Sequence, residues 1–389
     1  MSDANVKIVR VRAPSNIALI KYMGKKDSAL NIPENPSISM TLNALCTFAE
    51  VSVHENGSGQ FQWAPLNGYQ VPDLHQSGLE QDGLRNPPLS RGGEQTYEVD
   101  TSLPGRISRL QSGVLQKIVA HVARMKTLLP PVYSKYKIRW NPKNWEERDI
   151  LIKTGNTFPA SSGIASSASS FAAMTLALSS AFAEEPREFE SSWADHRELR
   201  KDLARISRQG SGSSCRSFEG QWVLWEQEDI HVLDCPKMPS LAHFVVLVDT
   251  QPKKIPSSRA HALVRTSPLW EGRPERATHR TQKMRVALAA GDLGAVARLA
   301  WSDAWEMHSL FHTAQEPFSY WAPATIEALH WLSSFVLSDL PPIVTLDAGP
   351  NVHVSVELSM REVWRNRLKE KFGNGLILED ELGGGCRFT

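Results

Sequence analysis

The chain has 389 residues, enough for two domains of ordinary size. Its 41% hydrophobic and 22% charged residues describe a globular protein and exclude a disordered or collagen-like one. A net charge of +1 excludes a global pull toward nucleic acid or an anionic membrane, so a polyanion site must be a local cluster of Lys and Arg. Cys46, Cys215, Cys235 and Cys386 form no CxxC pair, which indicates neither a zinc site nor a disulfide framework. Residues 1–14 lack the apolar core of a secretory signal and no run is long enough to cross a bilayer. A cytoplasmic protein without nucleic-acid or membrane partners is expected.

Residues 6–12, VKIVRVR, alternate as a strand and lead into PSNIALIKYMGKKD, which sets Lys21 after an apolar run and Lys25 and Lys26 just beyond Gly24. NIPENPSISMTL, residues 31–42, reads as a Pro-rich turn and then a strand; residues 47–54 alternate, with Val51 and Val53 on one face. Residues 56–105 shift to Gly, Pro, Gln and Ser and read as a long surface excursion. Ile107, Leu110, Val114, Ile118, Val122 and Met125 recur at helical spacing and predict a helix over 107–125. Tyr136, Ile138 and Trp140 alternate as a strand, and residues 150–153 form another.

Residues 159–173, PASSGIASSASSFAA, read as a tight small-residue turn opening a helix that is apolar nearly all round. The first turn of a helix offers unpaired N–H groups and the positive end of its dipole, so a phosphate binds well there. Serine hydroxyls at that turn add donors and a magnesium ligand. No Lys follows the glycine, so this is not the GxxxxGK[ST] loop. A second small-residue loop, residues 209–217, closes on Arg216. A second domain begins with the strand 244–248, followed by helical patterns around 284–293, 296–311 and 325–337. The strand 343–346 ends in Asp347-Ala348-Gly349-Pro350-Asn351, residues 352–356 alternate, and a last helix ends the pattern near Phe372. This irregular mixture favours α+β.

Lys21, Lys25 and Lys26 supply point charges, residues 163–170 backbone donors and hydroxyls, Ser211, Ser213 and Arg216 hydroxyls and a planar fork, and Asp347 a carboxylate at a strand end. Together these are parts for phosphoryl transfer. Singly, each has a plainer explanation: a solvated turn, a flexible linker, or a turn residue before Gly-Pro. His308 and His312, four apart on a predicted helix, have metal-ligand spacing but no HExxH pattern, and a structural, hydrogen-bonded histidine is the expectation.

The motifs SNIALIKYMGKKD, NIPENPSISMTL, FPASSGIASSASSFAA, SRQGSGSSCRS and TLDAGPNVH occur in the order seen in the diphosphomevalonate decarboxylases of the GHMP kinase superfamily, which the chain resembles over about residues 8 to 356. The resemblance implies a two-domain α+β fold. Residues 1–237 would form an ATP-binding domain like ribosomal protein S5 domain 2, and residues 238–389 a ferredoxin-like domain. It implies ATP and Mg2+ as cofactors, and a homodimer. It further implies Asp347 as catalytic carboxylate with Lys21 and Arg216 as catalytic partners. Substrate would be bound by Asn16, Tyr22, Lys25, Ser211, Ser213, Arg216, Ser258 and Arg259. Pro159, Gly163, Ala165, Ser166, Ser167 and Ala168 would hold the ATP phosphates, with Ser167 as the metal ligand. The implied reaction is ATP-dependent decarboxylation of diphosphomevalonate; a decarboxylase of the monophosphate or a kinase-only relative stays open. The cation for the diphosphate is also open among Arg106, Arg109 and Lys117. Asp303-Ala304-Trp305 departs from the Asp-Ser-Asn of many members.

Overall fold

The computed structural model describes residues 6–54, 59–66, 97–99, 112–140, 148–158, 163–249, 253–336, 338 and 340–389. The described chain begins β1 (Val6–Ile20), β2 (Lys25–Asp27), β3 (Ile32–Pro33), β4 (Ser37–His54), β5 (Phe61–Pro65) and β6 (Tyr97–Val99). It continues α1 (Ser112–Tyr136), β7 (Asp149–Asn156), α2 (Ser166–Ala181), α3 (Pro186–Asp195), α4 (Arg197–Gly210), the 3₁₀ helix Gly212–Phe218, β8 (Trp222–Glu226) and β9 (Asp229–Val232). The second half holds β10 (Leu241–Val246), α5 (Ser257–Leu263), α6 (Arg273–Ala290), α7 (Leu293–His312), α8 (Pro323–Val336), β11 (Ile343–Thr345), β12 (Val352–Glu357), α9 (Arg361–Phe372), β13 (Ile377–Glu381) and β14 (Arg387–Phe388).

β1 continues past the predicted residues 6–12 and stops immediately before Lys21. Its antiparallel pairing with β4 shifts register between Pro14 and Asn16, a bulge that re-aims the chain just where Asn16 enters the site. β4 is long enough to serve two neighbours: its far half pairs with β7 and its near half with β8. β5 joins β7 in parallel, with β6 and α1 between them in sequence, and β14 returns to pair with β1. One core joins this sheet (Val11, Val51, Ile152) to α1, α2 and α4 through Ile118, Met125, Phe171, Leu178 and Leu203. Burial of such a Leu or Phe side chain contributes about 1.5–3 kcal/mol. α2 lies between sheet and α4, so it is buried nearly all round, as its composition predicts.

The second sheet is antiparallel in the order β11-β12-β10-β13, with α8 and α9 packed on it through Leu329, Leu332, Trp364 and Leu368. α6 and α7 fill the space toward the first sheet: Ala277, Met284, Val296 and Ala300 pack on Ile17, Leu19, Ile38 and Met40. The last turn of β1 is therefore held by both halves of the molecule.

Several sequence expectations are corrected. α1 runs on to Tyr136 through Pro130 and Pro131, so no strand forms over 136–140, where Trp140 makes only an isolated bridge to Ala183. Leu129 and Tyr133 continue the buried helical stripe, and the Tyr133 hydroxyl donates to the Ser179 carbonyl at 2.6 Å, so packing overrides the two prolines. The predicted start of this helix, 107–111, lies outside the described residues, as does most of the 56–105 excursion, of which β5 and β6 are described. The 284–293 helix begins earlier, at Arg273, and ends before Gly291 (φ 75°). Asp292 then caps α7 by accepting from the Ala295 N–H at 2.8 Å. Residues 212–218 are a 3₁₀ helix, not a loop, with Ser214 to Phe218 buried.

Candidate active site

The ends of β1 and β11 bring Lys21 and Asp347 together. Lys21 Nζ donates to Asp347 Oδ1 at 2.8 Å and to the Ala18 carbonyl at 2.6 Å. Lys21 is 1% exposed and the Asp347 side chain 20%, so the pair has one face on solvent. Asp347 Oδ2 has no hydrogen-bond partner among the described residues and is the oxygen left to meet a ligand. Burial alone would push the Asp347 carboxyl up; the cationic groups around it, the Lys21 ammonium first among them, more than offset it and hold it below the usual carboxylate range. Burial lowers the Lys21 ammonium, against the pull of Asp347 and Asp303.

The peptide of Lys21 is pinned on both sides. Its N–H donates to Asp303 Oδ2 at 2.6 Å, and its carbonyl accepts from Asn35 Nδ2 at 3.0 Å. Asp303, wholly buried on α7, also accepts from Arg273 at 2.8 and 3.2 Å and from Arg280 at 2.6 Å. Glu306 accepts from Arg273 at 3.1 Å and Arg276 at 2.5 Å, and also from Arg280. Burial would raise the Asp303 carboxyl, but Arg273, the Lys21 amide and Arg280 keep it depressed. Sequence reasoning gave Asp303 no role, although it matches the Asp of the family's Asp-Ser-Asn and is a carboxylate on the face shared by Ala300, Ala304 and Met307.

Arg216 is buried in the 3₁₀ helix and held on two sides. Its Nε donates to Asn16 Oδ1 at 3.0 Å and its Nη1 to Ser37 Oγ at 2.7 Å, with the Trp225 ring 5.8 Å from its guanidinium carbon. Nη2 has no partner among the described residues. Asn16 is oriented in turn, donating to Ser217 Oγ at 2.8 Å and to the Ser213 carbonyl at 3.2 Å. Asn16, itself wholly buried, therefore braces Arg216.

The small-residue loop reaches the same place. Gly163 (φ 82°) and Ala165 (φ 52°) hold left-handed conformations ahead of α2. A Cβ on Gly163 would lie 3.2 Å from Gly349 Cα, which puts this loop against the turn that carries Asp347. The Ile164 carbonyl accepts from Ser15 at 2.5 Å. Ser166 and Ser167 open α2, Ala168 is buried beneath them, and the exposed Ser167 hydroxyl lies 3.3 Å from Ser211 Oγ. Pro159 lies outside the described residues.

Tyr22 makes tilted ring contacts with Trp225 and His261 at centroid distances of 4.6 and 4.4 Å, with its hydroxyl buried beside Gly212 and lacking a partner. Lys25 Nζ donates to Asn31 Oδ1 at 2.5 Å; burial and the neighbouring Lys117 lower its pKa. Of the three diphosphate candidates, Lys117 is thus near Lys25, while Arg106 and Arg109 lie outside the described residues. Ser258 and Arg259 sit exposed on α5, and Arg259 Nη2 is turned to Glu316 at 2.7 Å. Lys253 was not singled out in the sequence, yet it lies near enough to Asp347 to feel its charge, its ammonium 5.7 Å from the Tyr320 ring centre.

His308 corrects another expectation. It is wholly buried, stacked 4.9 Å from Trp321, and neither ring nitrogen completes a hydrogen bond, the Asp347 carbonyl lying nearby. Burial takes its pKa down to about 3, so the ring is neutral. Among the described residues no group of three His, Cys, Asp or Glu side chains is placed to hold a metal ion.

Residues 13–77 and 105–235 match the diphosphomevalonate decarboxylase-like N-terminal domain, and residues 243–380 match the mevalonate 5-diphosphate decarboxylase C-terminal domain. The chain belongs to the diphosphomevalonate decarboxylase family. It is 30% identical to a mevalonate diphosphate decarboxylase from Legionella pneumophila, with a TM-score of 0.68 over 96% of this chain and 100% of that one. It is 29% identical to the diphosphomevalonate decarboxylase of Schizosaccharomyces pombe, over 90% of this chain and 78% of the relative. A structure of MDDEF in complex with MVAPP, AMPPCP and magnesium shares the fold, with a TM-score of 0.69 at 22% identity over 99% of each chain. The α+β, GHMP-type fold expected from the motifs is the fold found.

Proposed function

We propose that the protein catalyses ATP-dependent decarboxylation of (R)-5-diphosphomevalonate to isopentenyl diphosphate, with release of ADP, phosphate and CO2. The observation that carries this reading is the buried Lys21–Asp347 pair with Asp347 Oδ2 free, set beside the small-residue loop in a chain of this family. The γ-phosphoryl group of ATP passes to the tertiary 3-hydroxyl while Asp347 Oδ2 takes the hydroxyl proton. The C–O bond to that phosphate then breaks, the C–C bond to the carboxylate supplies its electron pair to the new double bond, and CO2 departs.

Arg216 orients the carboxylate, with Asn16 behind it; Tyr22, Lys25, Ser211 and Ser213 line the substrate side, with Ser258 and Arg259 at its margin. Gly163, Ala165, Ser166, Ser167 and Ala168, preceded by Pro159, receive the ATP phosphates. The related structure with MVAPP, AMPPCP and magnesium supports ATP and Mg2+ as cofactors here. Ser167 and Ser211 offer neutral hydroxyl oxygens 3.3 Å apart, which suits a hard cation that arrives with its phosphates. Magnesium there would offset the repulsion between two polyanions in one cleft. A division into residues 1–237 and 238–389, which the two sheets follow except for β14 in the first, and a cytoplasmic homodimer belong to the same proposal; sedimentation tests the dimer.

The decisive assay incubates the protein with ATP, magnesium and each mevalonate phosphate, measuring ADP and CO2 together. Stoichiometric CO2 and ADP from the diphosphate are expected. ADP without CO2 would make it a kinase, and preference for the monophosphate would reassign the substrate.

A further inference from the structure

Two histidines that the proposed reaction does not use stand on neighbouring strands of the second sheet. His243 on β10 and His353 on β12 are wholly buried and stacked, their centroids 5.3 Å apart and planes 22° apart. His353 Nε2 is 3.3 Å from the carbonyl oxygen of Gly163, and its Nδ1 is 3.2 Å from His243 Nε2. His243 Nδ1 is 2.8 Å from Ser355 Oγ.

The proton positions follow from one fixed group. A carbonyl oxygen only accepts, so His353 carries its proton on Nε2. Burial keeps both rings neutral, with His353 at about 4 and His243 well below its ordinary value. A neutral ring has one proton, so His353 Nδ1 accepts, His243 donates from Nε2, and His243 Nδ1 accepts from the Ser355 hydroxyl. Two apolar side chains would fill the same space without any such alignment. The row of donors ends on Gly163, whose left-handed φ of 82° and contact with Gly349 form one side of the loop, while Ser15 holds the next carbonyl from the other.

We propose that His353, its proton placed by His243 and Ser355, is a positioning residue that holds the Gly163 carbonyl and so sets the affinity of the loop for nucleotide. This rests on reading residues 163–168 as the site of the ATP phosphates. A hydrogen bond of this kind translates into a change of roughly 2- to 13-fold in affinity.

The test combines variants with a spectrum of the unaltered protein. His353→Leu is expected to raise KM for ATP, and Kd for AMPPCP, by roughly 2- to 13-fold, leaving kcat and KM for the other substrate within about twofold. His353→Gln, whose amide nitrogen reaches the place of Nε2, is expected to recover most of that loss. In 15N-histidine-labelled wild type, long-range 1H–15N couplings are expected to show His353 as the Nε2–H tautomer. The proposal is overturned by an Nδ1–H tautomer, by a folded His353→Leu with wild-type AMPPCP affinity, by a loss confined to kcat, or by His353→Gln binding no better than His353→Leu. Should His353→Leu not fold, the tautomer and near-wild-type AMPPCP affinity in His353→Gln decide the matter. A wild type that binds AMPPCP but releases no CO2 would sink the assigned reaction and leave this inference standing; one that does not bind AMPPCP would sink both.

Discussion

Asp303→Asn tests whether Lys21, the lysine of the proposed reaction, is held by the second half of the molecule. The substitution keeps shape and removes the charge that accepts from the Lys21 N–H, Arg273 and Arg280. Arg273 is wholly buried and keeps only Glu306, at 3.1 Å. Removing one partner of a buried ion pair costs about 3–5 kcal/mol, because the other charge stays buried and under-compensated. Glu306 places the expected loss near the lower end. With an unfolding entropy of about 2.1 cal/mol/K per residue, 3–5 kcal/mol over a chain of this length lowers Tm by roughly 4–6 °C if it melts as one unit. The sign with pH is definite. Asp303 is depressed in the folded state, so its contribution is full above the ordinary Asp value and is lost as pH falls through the folded one. The gap between wild type and variant should therefore close in acid. Because one amide oxygen must then serve the Lys21 N–H and two guanidinium groups, kcat should also fall while ATP affinity is kept. Calorimetry at pH 7 and pH 3 with steady-state kinetics measures both. A Tm within 1 °C of wild type at pH 7, or a gap that widens in acid, would refute the reasoning.

Asp347→Asn should lower turnover by about 10²–10⁴-fold, the usual worth of general-base assistance, with calorimetric binding of ATP and substrate retained; lost binding would remove Asp347 from that role. Because its carboxyl is held below the ordinary range, wild-type kcat should show no acid limb from this group between pH 7 and 5, and a limb that disappears in Asp347→Asn would contradict the assignment. Arg216→Lys should be poorly tolerated although charge is kept, since an ammonium cannot bond Asn16 and Ser37 and still present a planar edge; near-normal turnover would show that charge alone suffices. Ser167→Ala should weaken ATP use by roughly 1.5–3 kcal/mol, as for a hydrogen bond to a charged group, and wild-type ATP kinetics would end the loop assignment.

What could be read from the sequence was local chemistry. The small residues of 163–170 make a tight turn into a helix legible from composition alone, and α2 follows from an apolar run that no single helix face could hide. Lys21, Arg216 and Asp347 were found through ordered motifs; no periodicity joins positions so far apart. The 3₁₀ turn at Gly212–Phe218 reads from sequence as a small-residue loop because what orders it comes from elsewhere: Asn16 and Ser37 on two strands and the ring of Trp225. The predicted helix stops at Met125, short of Pro130 and Pro131, because propensity is visible locally and the packing of Leu129 and Tyr133 is not. Asp303 was hidden for the same reason: its partners Lys21, Arg273 and Arg280 are brought to it by folding.

The arrangement of charge also explains why a paired carboxylate suits the proposed chemistry better than a free one. In the resting site Lys21 is neutralised by Asp347 at 2.8 Å, an attraction on the order of 5 kcal/mol at an effective dielectric near 20. When Asp347 Oδ2 takes the hydroxyl proton, that pair becomes a neutral acid beside an uncompensated ammonium. The local field turns more positive at the step where phosphate charge gathers on the substrate oxygen, so the stabilisation grows toward the transition state. Arg216 must do the opposite. The substrate carboxylate loses its charge as CO2 leaves, and a grip that tightened with the reaction would oppose that loss. A guanidinium immobilised by Asn16, Ser37 and Trp225 cannot follow the departing group. In the proposed reaction its contribution is alignment of the breaking C–C bond with the leaving phosphate, an effect that does not depend on the carboxylate keeping its charge.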